Sequence, residues 1–201
     1  MTFKTLKLLP ALMLSSAIAI GACATAEPLP ATASTTATTA AQEKEISKEE
    51  VLAAQQAWGK ALVQISTDYE RGGIDAAKAT AEAVLDSAYG YNLGPVLFKP
   101  TLTTAPQTFR TSRDGALAYF VGQDADFPAD TGFALNKWRK FETENAAIFI
   151  DGDVAMSMGK VRLTNADGNV TEVDKTWGYK RDEAGNLRIV LHHSSLPYAK
   201  N

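Results

Sequence analysis

Three turn signals punctuate the C-terminal half of this 201-residue chain, and their spacing restricts its fold more than any other feature. Asp151-Gly152 sits between the apolar runs of "NAAIFIDGDVAMSMGKVRLT", a strong hairpin signal. "NADGN" (165–169) and "DEAGN" (182–186) follow at strand-length intervals. Together they predict an antiparallel meander of strands 145–150, 153–164, 170–181 and 187–196. Gly159 and Gly178 lie inside the long strands and predict strong bending there. Upstream, "QTFRTSRDGALAYFVG" reads as two further short strands around Asp114-Gly115.

The pattern before residue 90 has a different period. Ser47 precedes Glu50 at capping-box spacing, and Ile46 with Val51 fits the hydrophobic staple around it. Val51, Ala54, Trp58, Leu62, Ile65 and Tyr69 recur at helical steps and predict one buried face. Gly72-Gly73 is the stop signal, and Asp75 caps a second, alanine-rich helix running to about Tyr89. Gly94-Pro95 and Pro100 make "YNLGPVLFKPT" a broken connector. Helices followed by a meander predict an α+β domain with helices on one face of the sheet.

The first residues bear on compartment. Residues 1–22 carry Lys4, Lys7 and an apolar stretch from Leu8 to Ile20, which reads as an export signal too short to span a membrane. Cys23, the single cysteine, follows Ile20-Gly21-Ala22 as in a lipobox, which would make it a lipidated N-terminus; a small-x-small site at Ala24-Thr25-Ala26 is the alternative. Residues 23–45 have the Ala/Thr/Pro composition of a disordered linker, leaving 46–201 as the folded domain. The expected location is exported and periplasmic, with membrane contact only through an anchor at Cys23. The folded domain has no cysteine, so disulfides and thiolate zinc sites are excluded within it. A net charge of −3 with interspersed signs offers no nucleic-acid footprint.

The two histidines of the chain stand together in "LHHSSLPY" (191–198). Side chains alternate along a strand, so Leu187, Ile189, Leu191, His193 and Ser195 share one face. That set is the more apolar and is assigned to the interior, with His193 and Ser195 at the end of an apolar wall. His192 and Ser194 fall on the other face. Two adjacent strand histidines point apart and do not readily hold one ion. No third histidine exists, and no Asp or Glu has ligand spacing to His193. No nucleophile elbow accompanies the serines.

"LHHSS" resembles the His-His-His-Ser-Ser signature of iota-class carbonic anhydrases, within the nuclear-transport-factor-2-like superfamily. The resemblance extends through "VLFKPT" (96–101), "GALAYFVG" (115–122), "GFALNKW" (132–138) and "TWGY" (176–179), and so covers the domain after residue 46. It implies an NTF2-like cone, in which N-terminal helices pack in a strongly curved antiparallel sheet. The activity implied is reversible hydration of carbon dioxide to bicarbonate. The implied catalytic residues are Thr101, Tyr119, His193 and Ser195. Ile189, Leu191 and Phe133 would supply a dry wall, with Ser194 and His192 as further substrate contacts. Leu191 occupies the signature's first histidine position, which favours a site with no cofactor over one with zinc or manganese. His193 and Tyr119 are both candidates for handling the proton. A homodimer is expected. A non-catalytic ligand-binding or oligomerisation domain of the same fold, using an outer sheet face that includes Met156 and Met158, is the alternative reading.

Overall fold

Ser47 and Glu50 form the capping box that their spacing predicts. Ser47 Oγ accepts from the Glu50 N–H at 3.2 Å, and Glu50 Oε2 accepts from the Ser47 N–H at 2.8 Å. The structure, a computed structural model, describes residues 45–200; the expected export signal, Cys23 and nearly all of the linker lie outside the described residues. Helix α1 runs Lys48–Ala88 and leaves helical geometry at Gly73, where φ is 71° and ψ −161°. Only glycine adopts such a φ without strain, so the chain breaks where Gly72-Gly73 predicts. Val51, Trp58, Leu62 and Ile65 are buried as expected. Tyr69 is not: it is 37% exposed, which corrects its place on the buried face.

Five strands follow: β1 Leu97–Lys99, β2 Trp138–Asp151, β3 Val154–Asn165, β4 Val170–Arg181 and β5 Leu187–Ser195. They form one sheet in the order β1-β5-β4-β3-β2. The meander β2 to β5 is antiparallel, with turns at the three predicted places. β1 pairs parallel with β5, so the sheet is mixed rather than wholly antiparallel. The connector reading hid β1, because Pro100 excludes a helix but leaves room for three extended residues before it.

Helix α2, Arg113–Val121, replaces the two short strands expected around Asp114-Gly115. Ser112 explains the difference. Its Oγ accepts from the Gly115 N–H at 3.2 Å, so the Asp-Gly pair forms the first turn of a capped helix instead of a hairpin. α1 packs against β2, α2 and the 3-10 turn Phe133–Leu135. The contact with β2 is close: a Cβ at Gly59 would fall 2.1 Å from Phe141 Cδ2. β2 carries a bulge between Asn145 and Ala147, opposite Gly159. A Cβ at Gly159 would lie 1.9 Å from the Glu144 carbonyl oxygen, so the bulge requires glycine there.

Candidate active site

A second bulge, in β5, decides which of the paired histidines faces inward. Tyr179 pairs with Ile189, but its neighbour Gly178 pairs with Leu191, leaving Val190 as the extra residue. An inserted residue reverses the alternation beyond it. Ile189 is therefore buried on the inner face, and after Val190 the even-numbered residues turn inward. His192 and Ser194 are 2% and 3% exposed. They pair with Trp177 and Lys175 on β4, both buried. His193 is exposed, and Ser195 and Leu191 are half-buried on the outer face. The structure thus corrects the inward assignment of Leu191, His193 and Ser195. Ile189, Phe133, His192 and Ser194 are buried, and Phe133, His192 and Ser194 line the cavity described next.

That cavity lies on the inner side of the sheet, against α1 and α2, and is narrow. Its dry walls are Trp58 from α1, Phe120 from α2, Phe133, Leu163 from β3 and Val173 from β4. Five polar side chains complete it: Thr101, Tyr119, Lys175, His192 and Ser194. Thr101, just beyond β1, donates from Oγ1 to Ser194 Oγ at 2.7 Å. Lys99 Nζ donates to the Ser194 carbonyl at 3.2 Å, fixing the end of β5 against β1. Tyr119 enters from α2 and stacks on Phe133, ring centroids 5.4 Å apart. Burial pushes its hydroxyl well above the ordinary tyrosine range; hydrogen bonds with the Leu102 and Thr101 backbone and with the Thr101 side chain oppose this. Tyr119 is thus a neutral phenol at neutral pH.

His192 is held by stacking and by both ring nitrogens. Phe98 of β1 lies against it at 4.2 Å between centroids. Tyr89 Oη is 2.8 Å from Nδ1, and Nε2 faces Lys175 Nζ. Burial above all holds the His192 pKa well below its ordinary value, so the ring is neutral. Lys175 is equally enclosed, and among the described residues no carboxylate pairs with it. Its Nζ lies 4.4 Å from the ring centroid of Trp58 and 5.1 Å from that of Trp177. Such rings return about 2 kcal/mol to a desolvated cation. Burying the charge costs several kcal/mol, and burial accordingly pulls the Lys175 pKa well below the ordinary lysine range.

Of the residues singled out in the sequence, Thr101, Tyr119, Phe133, His192 and Ser194 line this cavity and Ile189, Leu191, His193 and Ser195 do not, while Lys175, Tyr89 and Trp58 were missed as polar partners. A signal for Lys175 was present: it stands in phase with Val173, Trp177 and Tyr179, all inward residues of β4. Among the described residues no three His, Cys, Asp or Glu side chains come together as a metal site.

A profile of the family "Metal-independent carbonic anhydrase" matches residues 49–196. The metal-independent carbonic anhydrase of Nostoc sp. strain PCC 7120 is 59% identical over 167 residues, 83% of this chain and 82% of that one. The crystal structure of a cyanobacterial iota-carbonic anhydrase complexed with bicarbonate superposes with a TM-score of 0.77 at 61% identity, covering 78% of this chain and 95% of that chain. An NTF2-like superfamily protein from Salmonella enterica serovar Typhimurium aligns at TM-score 0.43 and 13% identity, over 75% of this chain and 96% of that one. With the family profile spanning almost all of the folded domain, and relatives this similar in sequence and in fold, the chain belongs to the metal-independent, iota-class carbonic anhydrases.

Proposed function

We propose that this chain hydrates carbon dioxide reversibly to bicarbonate and a proton in the cavity between α2, β4 and β5. The observation that carries the reading is the Thr101–Ser194 hydroxyl pair, 2.7 Å apart, facing Tyr119 across a cavity otherwise walled by Trp58, Phe120, Phe133, Leu163 and Val173. Carbon dioxide is small and apolar and favours the dry wall. Bicarbonate develops negative charge on its oxygens, which fixed donors stabilise as the bond forms. The bicarbonate bound in the cyanobacterial relative supports the same ligand here.

In this reading Tyr119 orients the attacking water, and Ser194, whose oxygen accepts from Thr101, donates to a carbon dioxide oxygen. As the water oxygen bonds to carbon, one of its protons passes to the Ser194 oxygen and Ser194 gives its own to the carbon dioxide oxygen it holds; the carbonic acid so formed loses one proton to leave bicarbonate. Thr101 is half-buried, and its hydroxyl, donating to Ser194, keeps the Ser194 proton turned to the substrate. The inner-facing Ser194 takes the role that the resemblance implied for Ser195, while His192, both of its ring nitrogens engaged by Tyr89 and Lys175, lines the site without handling the proton. The family's metal independence supports hydration without zinc or manganese. Thr101→Val, Tyr119→Phe and Ser194→Ala should each lower the stopped-flow hydration rate about a hundredfold in chelator-treated protein. Wild-type rates in all three, or activity restored only by zinc or manganese, would sink the proposal.

The cone-like curvature of the sheet belongs to the same reading and is supported by the bulges in β2 and β5. We propose a homodimer through the outer sheet face. Phe149, Met156, Leu191 and Leu97 stand in register across it, with Met158 in the adjoining row. Phe149, Met156, Met158 and Leu97 are exposed, and an apolar row of this size calls for cover. Light scattering should give twice the chain mass, and Phe149→Glu with Met156→Glu should halve it. The residue 1–23 pattern supports export, with mass spectrometry of the mature N-terminus deciding on lipid at Cys23.

A further inference from the structure

We infer that Lys175 serves the cavity as an uncharged amine, oriented by a one-way hydrogen-bond chain from Trp58 through Tyr89 and His192, and that it donates to a bicarbonate oxygen without forming an ion pair. The second half rests on the hydration reading above; the first stands on geometry alone.

The chain begins at a group that only donates. Trp58 Nε1–H points at Tyr89 Oη at 3.0 Å, and an indole nitrogen has no acceptor function. Among the described residues Tyr89 Oη has one other partner, His192 Nδ1 at 2.8 Å. Tyr89 is buried, and its single proton would be stranded anywhere else. It therefore points at Nδ1, which accepts. A neutral imidazole that accepts at Nδ1 carries its proton on Nε2. An imidazolium would set its Nδ1–H against Tyr89 and leave the Tyr89 proton without a partner.

The Nε2–H faces Lys175 Nζ, so Lys175 must accept. An ammonium has three donors and no acceptor; an amine has one lone pair. Lys175 is thus an amine whose lone pair is committed to His192. Of its two N–H bonds, one meets the Trp58 and Trp177 rings and the other is left for the cavity. Two consequences follow for the chemistry. With its lone pair engaged, Lys175 does not take the proton of the attacking water. As a neutral donor it holds a bicarbonate oxygen yet lets the anion leave, where a buried ammonium would retain it as an ion pair. Tyr89 and His192 are positioning residues for this donor.

Nuclear magnetic resonance of the uniformly 15N-labelled full chain tests the charge state directly. At neutral pH we expect His192 as the Nε2–H tautomer and the Lys175 Nζ resonance in the amine range. An Nδ1–H tautomer, an imidazolium or an ammonium would overturn the inference. So would a lysine carbamate signal in 13C-bicarbonate, because carbamate formation consumes the lone pair. The functional half is read from Tyr89→Phe and Lys175→Met. Tyr89→Phe releases Nδ1 and lets Lys175 become an ammonium. Bicarbonate should then bind about tenfold or more tighter while kcat falls. Lys175→Met removes the donor and should weaken bicarbonate binding about tenfold. Unchanged bicarbonate affinity in both folded variants would overturn the functional half. An amine at Lys175 in a wild-type chain without hydratase activity would refute the hydration reading while upholding the charge assignment.

Discussion

Replacing Asp130 with Ala should cost this protein a large share of its stability. Arg110 and Asp130 are 2% and 3% exposed at their side chains. The pair is bidentate: Arg110 Nε donates to Asp130 Oδ2 at 2.9 Å and Nη2 donates to Oδ1 at 2.8 Å. Nη1 donates to the Gln107 and Phe109 carbonyls, and the guanidinium lies 4.7 Å from the Phe127 ring centroid. Without the carboxylate, a guanidinium stays buried with two donors unmatched. Breaking a buried pair from one side costs about 3–5 kcal/mol. Counting two charge-assisted bonds at about 1.5–3 kcal/mol each gives a similar sum. In a domain of this size each kcal/mol lowers Tm by about 2–4 °C, so the melt should fall by about 6–20 °C. Activity should suffer below that temperature too. The Arg110 N–H bonds the Phe98 carbonyl at 2.9 Å, and Phe98 stacks on His192. Urea denaturation, thermal melts and hydration rates measure all three effects. Arg110→Met combined with Asp130→Leu should recover most of the stability, since no charge remains buried. A loss below about 1 kcal/mol for Asp130→Ala would refute the reasoning.

Other expectations follow from close contacts and titrating groups. Gly59→Ala should destabilise by about 1–3 kcal/mol, despite the better helix propensity of alanine, because its methyl group meets the Phe141 ring; Phe141→Leu in the same chain should restore most of the loss by urea midpoint. His192 and Lys175 both have folded pKa values depressed below the ordinary 6.5 and 10.5. Each binds a proton in the unfolded chain that it lacks in the folded one, so stability rises with pH. The His192 contribution is complete above its unfolded pKa of about 6.5 and is lost progressively as pH falls from there through its depressed folded value. Lys175 adds a slope of about 1.4 kcal/mol per pH unit from neutrality towards its unfolded pKa. Lys175→Met should flatten that slope in urea titrations run at a series of pH values, and an unchanged slope would rule Lys175 out as its source.

The parts of the fold that were legible in the sequence are those fixed by neighbours along the chain. The Ser47/Glu50 cap, the Gly73 break and the turns at Gly152, Gly168 and Gly185 each depend on a few adjacent residues. α2 was misread because Asp114-Gly115 serves a hairpin or a capped first turn equally well, and Ser112 chooses the second. The β5 bulge was out of reach for a stronger reason. "LRIVLHHSS" alternates plausibly in either phase, and Val190 becomes the extra residue only against β4. Arg110 and Asp130 are twenty residues apart, and nothing local announces their pairing. Lys175 was legible in phase but not in role, since its meaning depends on Trp58, Tyr89 and His192 from two other elements.

The account's central claim is that the bulge at Val190 turns Ser194, not Ser195, into the hydration site. Stopped-flow carbon dioxide hydration by Ser194→Ala and Ser195→Ala, compared side by side, tests it most directly. Ser194→Ala should lose about a hundredfold in kcat/KM while Ser195→Ala stays within about twofold of the parent chain. The opposite order, with Ser195→Ala inactive and Ser194→Ala unimpaired, would contradict it.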